Sequence, residues 1–454
     1  MIIRILSFLC LAISFSLGQT YDCLHFVKDA IKKDPLVAEK RFSTNIKREQ
    51  LATLKAEVIL PTFNFSMMVG PAPGLKEHVD SWGDTVEAWD FSKIGPYWGT
   101  QIKVTQPLNL GQYNVGKKAI QADIRQHELG LLQGEHKKEV ELQSYFYNYL
   151  LALEMNRLAK DVEIQINNAY EKLEEALDND EPNVSQMDLL KLKSNMYVVQ
   201  EAVSDAERGL KQVMLAIQFS LQLDDKASFK TVDTLLTVRS EPLLSLEELK
   251  AIAIKSHPEL KQLEAGLQAR SYQMDLAEAK LAPEFFVMAE FEYIKSWAGD
   301  RQVIQKNVFA QDAVNKLSGT FGIGLRYRLN FWKGWQNYRN ARIEHNALRM
   351  KENYAASGLL LKIEEQYDKV VSIKEKLESM KTSLRATEAI LKGTAIQYDL
   401  DPSNAEKLLS AYTDNVNLLK KYYFAVCSYN VEFAELIFRT GLSLEEFHST
   451  YISK

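Results

Sequence analysis

A period of two in the apolar residues marks two stretches in the second half of the chain, although Phe286 and Met288 also occupy intervening positions of the first. In the segment FFVMAEFEY, residues 285–293, every second residue is apolar, and Glu290 and Glu292 fall between them. In residues 321–331 the odd positions are again apolar, while the even positions carry glycine, arginine or asparagine. A period of two residues over about ten positions is typical of a β-strand with one apolar and one polar face. The pattern therefore predicts strands near 284–293 and 321–331.

The first half of the chain repeats this alternation more weakly. Apolar and polar residues alternate from Phe63 to Met67 and again from Gln101 to Leu108, which predicts strands near 62–69 and 100–108. Two environments produce such strands. One is an ordinary half-buried sheet, and the other is the wall of an outer-membrane β-barrel, in which lipid-facing and lumen-facing residues alternate.

Three features favour the barrel. The predicted strands approach the 9–11 residues that a tilted strand needs to cross a bilayer. The charged residues fall on one face of the strands, where we expect them to line the lumen: Lys103, Glu290, Glu292, Arg326 and Arg328. Aromatic residues cluster at the predicted strand ends, as membrane-interface belts do: Tyr97, Trp98, Phe331, Trp332 and Trp335.

Four strands are too few for a closed barrel, because single barrels begin at eight strands. An open sheet in lipid would leave unpaired backbone groups at its edges, at a cost of several kcal/mol each. The barrel must therefore be shared between copies of the chain. A dimer supplies eight strands and a trimer twelve.

Long helices are predicted where proline is absent. The chain has no proline between Pro107 and Pro182 or between Pro283 and Pro402. A helix from Gln112 to Asp178 would be about 100 Å long at about 1.5 Å per residue. A second one is predicted over 336–397, and apolar residues spaced three and four apart after residue 405 indicate coiled-coil packing. Shorter helices are predicted over 22–60 and 184–221.

An internal repeat organises these elements. The segment AIKKDPL, from Ala30, returns as AIKSHPEL, from Ala253, and the two prolines, Pro35 and Pro258, are 223 positions apart. Three further pairs of segments follow in the same order at offsets of 222, 221 and 220. We therefore predict a tandem duplication with a first repeat at 19–240, a second repeat at 241–442 and a C-terminal tail at 443–454.

The N-terminus is typical of an exported protein. Arg4 is followed by a short apolar run, and small residues at Ser16 and Gly18 precede a polar segment, which predicts a signal peptide over 1–18. The alternative, a membrane anchor, requires a longer apolar run. Cys23 does not follow the residues that precede a lipidated cysteine. Once the signal peptide is removed, only Cys23 and Cys427 remain, and a bridge between them stays open.

Composition and motifs exclude several functional classes. A net charge of −5 and the absence of a long basic run argue against nucleic-acid binding, and 46% hydrophobic residues indicate a folded protein. The sequence contains no HExxH, CxxC, P-loop or GxSxG motif, so it predicts no catalytic, metal or cofactor site. The pair Gly322 and Gly324 lacks the third glycine of a dinucleotide loop and lies in a predicted strand, where it is expected to relieve crowding.

The whole pattern resembles the TolC-like family of outer-membrane efflux proteins. The resemblance runs from about Asp22 to Leu442 and includes the segment HPELKQLEAGLQA, the turn beginning at Pro107 and the final segment ending AELIFRTGLSL. Both turns that follow strand pairs carry asparagine, Asn109 and Asn330, where the family usually has phenylalanine. The resemblance implies an α+β membrane protein, a homotrimer with a 12-stranded β-barrel in the outer membrane and a periplasmic α-helical tunnel. It also implies passive export from an inner-membrane pump and a periplasmic adaptor, without enzymatic chemistry.

In this family helices close the periplasmic tip of the tunnel. The resemblance places the tips here at 178–188 and 399–407, and the gate candidates are Asp188, Lys191, Glu406, Lys407 and Ser410. We expect tip contacts between Asp188 and Lys407, or between Glu406 and Lys191. The alternative is that these charges are solvated residues on a helix face.

Two further questions stay open at this stage. The lumen-facing charges either tune ion selectivity or neutralise one another across strands, and we favour neutralisation between Glu290, Glu292, Arg326 and Arg328. The segments 70–95 and 295–318 are expected to be extracellular loops. The rival function is a periplasmic coiled-coil adaptor or envelope scaffold, although such a protein would lack the four amphipathic strands. An exported enzyme is a third alternative, without any constellation of residues that supports it.

Overall fold

The structure is a computed structural model that describes residues 20–79, 81–83, 85–179, 184–223, 229–298, 314–327, 329, 331–401 and 404–451. The predicted signal peptide at 1–18 and the predicted lumen residue Arg328 lie outside the described residues. Cys23 and Cys427 are both free, so no bridge joins them.

Helices make up most of the described chain. Their bounds are α1 Cys23–Lys33, α2 Pro35–Val58, α3 Leu110–Asp178, α4 Gln186–Leu221, α5 Leu246–Ser256, α6 Pro258–Ala279, α7 Phe331–Leu400, α8 Ala405–Thr440 and α9 Leu444–Tyr451. The two long helices, α3 with 69 residues and α7 with 70, correspond to the two proline-free stretches. Within the described residues, no helix combines the length and the apolar character needed to cross a membrane.

The repeated segment that ends in proline breaks a helix in both halves. A single helix was predicted over 22–60, but α1 ends before Asp34 and α2 begins at Pro35. Asp34 accepts hydrogen bonds from the backbone N–H groups of Leu36 and Val37. His257 stands in the same place between α5 and α6. A proline ring clashes sterically with the residue before it and keeps that residue out of the helical conformation. This explains the breaks at Asp34 and His257.

Four strands form one antiparallel sheet: β2 Thr62–Val79, β3 Thr85–Pro107, β5 Glu284–Ser296 and β6 Asn315–Arg326. Their order across the sheet is β2-β3-β5-β6. A separate pair of short parallel strands joins β1, Thr20–Tyr21, to β4, Lys230–Thr231.

The strand ends differ from the predicted ones. The predicted loop at 70–95 is mostly strand, because β2 and β3 continue as a paired ribbon beyond the end of β5. β6 begins earlier than predicted and ends at Arg326, and Phe331 is the first residue of α7 rather than the last residue of a strand. The predicted tail at 443–454 contains helix α9. The outer boundaries of the two repeats, at 19–240 and 241–442, stay predictions.

The chain forms two compact units. One consists of Ser43–His127 and Leu263–Glu352 and contains the four-stranded sheet. The other consists of Glu128–Gln262, the described residues up to Phe42 and those from Asn353 onward. The core of this second unit includes the fully buried rings of Phe26, Phe146, Phe229, Phe433 and Phe447.

Candidate functional site

The register of the four-stranded sheet sorts its side chains into two faces. Phe63, Val104, Ala289 and Phe321 stand side by side across the strands. The neighbouring rows of this face continue the apolar character, and its large side chains are exposed, with Phe321 at 78%. These exposed residues are Phe63, Phe65, Met67, Val69, Ile102, Phe285, Phe291, Ile323 and Leu325. A soluble protein rarely exposes so continuous an apolar surface, which marks this face as one that a membrane or a partner covers.

The opposite face of the sheet is polar in its central rows, and Met68, Met288 and Ile294 lie on the same face beyond them. Asn64, Lys103, Glu290 and Thr320 form one row across the strands. Ser66, Gln101, Glu292 and Ser318 form the next row. The register therefore places the predicted lumen residues Lys103, Glu290 and Glu292 on one face, as their alternation indicated. Arg326 lies on the same face, opposite Glu284.

Each of the two carboxylates is paired with a lysine. The Glu290 carboxylate lies 3.3 Å from Lys103 Nζ and accepts a hydrogen bond of 2.7 Å from the Gln101 side chain. The Glu292 carboxylate lies 2.5 Å from Lys316 Nζ. The neutralising partners are therefore Lys103 and Lys316, not Arg326. Lys316 was missed because it lies in the part of β6 that was predicted to be a loop.

Arg326 packs against an aromatic ring instead. Its guanidinium lies 5.1 Å from the centre of the Phe286 ring, within the range of a cation–π interaction. The same ring occupies the space beside Gly324, where a Cβ atom would lie 2.4 Å from Phe286 Cζ. Gly322 has open space instead. Of the two glycines, only Gly324 therefore meets the expectation that glycine relieves crowding.

The predicted interface aromatics occupy two different settings. Tyr97 and Trp98 lie within β3 rather than at its end, and the Trp98 indole donates a hydrogen bond of 2.7 Å to the Thr100 hydroxyl. Phe331, Trp332 and Trp335 form the exposed first turn of α7, next to the end of the sheet. Their role at a membrane interface stays a prediction.

The predicted tip residues separate into a pair that bridges two helices and residues with local contacts. Lys191 Nζ of α4 lies 3.3 Å from the Glu406 carboxylate of α8. Asp188 instead accepts a hydrogen bond of 2.7 Å from the Ser185 hydroxyl at the start of α4. Lys407 donates one of 3.0 Å to Asn404. Of the two expected tip contacts, the structure thus contains the one between Glu406 and Lys191.

Lys407 and Ser410 belong to the exposed surface of α8. Ser410 lies one turn beyond Glu406, so it belongs to the same end of the helix without joining the pair.

A second group of contacts near this tip was not singled out in the sequence. Lys172 Nζ lies 2.7 Å from the Asp399 carboxylate and 5.2 Å from the centre of the Tyr398 ring. The Tyr398 hydroxyl donates a hydrogen bond of 2.8 Å to the carbonyl of Ala169. Burial, together with Asp399, raises the pKa of Tyr398 to about 12, so this hydroxyl keeps its proton. Asp399 begins the predicted second tip, but nothing in the sequence indicated Lys172 as its partner.

A large cavity lies among α3, α4, α7 and α8 within the second compact unit. Its volume is about 1220 Å³. Small residues of α4 line one side, among them Ala202, Ala206 and Gly209, and Leu408 and Phe424 of α8 line another. A cavity lined by small and apolar side chains can accept another helix at close range. In the described part of the chain, no group of three or more His, Cys, Asp or Glu residues is placed to hold a metal ion.

Comparisons with known proteins agree with this geometry. Residues 250–400 match the family described as outer membrane efflux protein. No curated protein matches the chain. The fold is similar to that of solved outer-membrane channels over almost the whole chain.

Three of these structures illustrate the likeness. CusC has a TM-score of 0.70 and 14% identity, with 94% of this chain and 96% of CusC covered. The Campylobacter jejuni CmeC outer membrane channel has a TM-score of 0.71 and 14% identity, with 95% and 88% covered. VceC from Vibrio cholerae has a TM-score of 0.70 and 13% identity, with 94% and 98% covered. At such identities the likeness establishes the fold.

Proposed function

We propose that three copies of this chain form an outer-membrane export channel. The proposal is supported by the match of residues 250–400 to the outer membrane efflux protein family and by the fold shared with solved outer-membrane channels. In this trimer the sheets combine into one barrel and the helices into a periplasmic tunnel. Substrates pass through it from an inner-membrane pump and a periplasmic adaptor, as in tripartite efflux or type I secretion systems. The channel conducts passively.

The observation that carries this proposal is the exposed apolar face of a four-stranded sheet that has two edges. Within the described residues, β2 and β6 are the outer strands of the sheet. In lipid, each unpaired backbone group on such an edge costs several kcal/mol, so the edges of neighbouring copies must pair. An eight-stranded barrel has an interior that side chains fill, and the barrel widens with the number of strands, so twelve strands give a wider interior. A trimer therefore suits export better than a dimer.

The contacts at the helix ends support a closed resting state. Lys191 with Glu406 joins α4 to α8, and Lys172 with Asp399 joins α3 to α7. All four side chains are well exposed, so each pair contributes at most about 1 kcal/mol. Weak contacts of this kind suit a gate, because a docked partner can break them at low cost. In this proposal Asp188, Lys407 and Ser410 surround the gate without bridging it.

The cavity among α3, α4, α7 and α8 supports a helical partner. Its lining combines small and apolar side chains with charged ones such as Asp161, Asp205 and Lys420, which suits an amphipathic helix with an apolar and a charged face. We therefore assign this surface to a helical hairpin of the periplasmic adaptor. Docking there would separate α4 from α8, the two helices that Lys191 and Glu406 connect.

The rival function, a periplasmic adaptor or scaffold, explains the long helices but not the sheet. A periplasmic protein would leave Phe65, Phe321 and Ile323 in contact with water. A membrane-facing wall needs these residues.

Cell fractionation followed by conductance measurement tests the proposal. We expect heat-modifiable trimers in the outer-membrane fraction and discrete conductance steps when the purified protein is added to a planar bilayer. A monomer in the soluble periplasmic fraction would contradict the proposal and favour the rival function. A matched variant, Phe321→Asp with Ile323→Asp, places charges on the apolar face and should prevent insertion. The same double substitution on the polar face, Asn64→Asp with Ser66→Asp, faces Lys103 and Gln101 and should be tolerated.

A further inference from the structure

The charges at the centre of the polar sheet face are balanced within one chain. Lys103 and Glu290 stand directly opposite each other on β3 and β5, at 3.3 Å. Glu292 lies diagonally across from Lys316 of β6, at 2.5 Å. The four groups carry two positive and two negative charges, so this part of the face has no net charge.

Hydrogen bonds fix the position of one of these carboxylates independently of its lysine. One oxygen of Glu290 accepts from the Gln101 side chain at 2.7 Å, and the other faces Lys103. The carbonyl oxygen of Gln101 in turn accepts from the Ser66 hydroxyl at 3.4 Å. Removal of Lys103 would therefore leave Glu290 held in place without the cation that stands directly opposite it.

We infer that Lys103 and Lys316 set the charge selectivity of the channel by cancelling Glu290 and Glu292 inside each copy. The inference rests on the proposed function, in which the polar face lines the lumen. Three copies would bring six copies of these two carboxylates into the barrel, besides Glu284, which stands opposite Arg326 in each copy. A ring of uncompensated carboxylates makes a pore select cations. With all six paired, the barrel passes solutes of either charge and neutral solutes without a preference for one sign.

The exposure of these ion pairs indicates that they affect ion permeation more than the stability of the fold. The lysines are 40% exposed and the carboxylates 23% exposed on a hydrated face. Ion pairs this exposed contribute little to the stability of the fold. A substitution of one lysine, in contrast, removes three positive charges at the same height of the pore, one from each copy of the chain.

Reversal potentials in a KCl gradient across a planar bilayer test the inference. The wild-type channel should have a reversal potential close to zero. Lys103→Gln should shift it toward the potassium equilibrium potential, and Glu290→Gln should shift it toward the chloride equilibrium potential. The double variant Lys103→Gln with Glu290→Gln restores the balance and should return to the wild-type value. The periplasmic tip is the same in all four proteins, so the differences in reversal potential reflect the charges of the barrel.

The pair of Lys316 and Glu292 provides an independent test in case a variant of the first pair does not assemble. Lys316→Gln should also increase cation selectivity, and Lys316→Gln with Glu292→Gln should cancel the effect. Conducting channels whose selectivity does not change in either single lysine variant would overturn the inference while the proposed function stands. If neither the wild-type protein nor the variant Lys172→Gln with Lys191→Gln, which lacks the tip contacts, conducts ions, the proposed function fails and the inference fails with it.

Discussion

Arg239 donates two hydrogen bonds to the same oxygen of Glu241, from Nη2 at 2.7 Å and from Nε at 3.1 Å. Both side chains are nearly inaccessible to water, with 4% and 8% exposed. The guanidinium also lies 5.2 Å from the centre of the Phe433 ring of α8, and His448 of α9 lies 3.0 Å from the shared Glu241 oxygen. This buried pair therefore connects the segment before α5 with the last two helices.

Breaking this pair should strongly destabilise the protein. Arg239→Ala leaves the Glu241 carboxylate buried without its main partner, so the free energy of unfolding should fall by about 3–5 kcal/mol. The midpoint of thermal unfolding, followed by circular dichroism, measures the effect. The double variant Arg239→Met with Glu241→Leu removes both charges and should lose much less. If the double variant loses as much free energy of unfolding as Arg239→Ala does, the packing of these side chains, and not their charge, stabilises the site.

The attachment of the last helix should depend on pH through Glu139 of α3. Its carboxylate accepts a hydrogen bond of 2.9 Å from the backbone N–H of Leu444, the first residue of α9. Burial raises the pKa of Glu139 from its ordinary value of 4.5 to about 7, and the nearby carboxylates of Glu445 and Glu446 add to the increase. A raised pKa means that the folded protein binds this proton more tightly than the unfolded chain does. The stabilisation is therefore complete below about pH 4.5 and is lost as pH rises to about 7.

Hydrogen exchange of the α9 amides at pH 5 and pH 8, corrected for the intrinsic exchange rate, measures this dependence. Protection should be greater at pH 5 in the wild-type protein. Glu139→Gln keeps an oxygen that accepts from Leu444 but has no charge, so the difference between the two pH values should shrink. Glu171→Gln, at an exposed position of the same helix, should behave as wild type. An unchanged difference in the Glu139→Gln protein would contradict the assignment.

Gly441 is a position where only glycine fits. It follows α8 with a φ of +83°, and a Cβ atom there would lie 2.5 Å from His257 Cα. Gly441→Ala should lower the free energy of unfolding by about 1–2 kcal/mol through the left-handed backbone alone, and further through the clash. Gly393→Ala is the matched control, because this glycine lies inside α7 with open space around it and should gain about 0.5–1 kcal/mol. Equal thermal midpoints for the two variants would contradict this explanation.

The tip contacts that bridge helices should hold the resting channel closed. Lys172→Gln removes the contact with Asp399, and Lys191→Gln removes the contact with Glu406. A loss of about 1 kcal/mol shifts the closed-to-open ratio about fivefold. We therefore expect a higher resting conductance in the double variant. Lys407→Gln, which removes only a hydrogen bond to Asn404, should have little effect. If Lys407→Gln increases the resting conductance as much as the double variant does, the bridging contacts are not what holds the channel closed.

The sequence was sufficient for the long helices and the two faces of the sheet. The absence of proline predicted α3 and α7, and the period-two pattern placed Glu290 and Glu292 on the face that is polar in the structure. Both predictions depend on properties of single residues or of short windows, which need no knowledge of the partner strand.

The strand ends and the charge partners depended on tertiary pairing. The glycine- and proline-rich start of the ribbon resembles a loop, yet Pro71 lies on the edge strand β2, and its partner Pro96 lies beyond the end of β5. Proline is tolerated at such positions because no neighbouring strand needs its missing N–H. Lys316 became visible as a partner of Glu292 only through the register of β5 and β6. At the other end of β6, the alternation continues to Phe331 although the helix has already begun there.

In the proposed channel three copies of the chain close one barrel, so the mass of the assembly is the decisive measurement. Native mass spectrometry of protein extracted from outer membranes in mild detergent should give three times the mass of the mature chain. After full denaturation the same sample should give only the single chain. A complex of two copies, or a detergent-extracted single copy, would contradict the account.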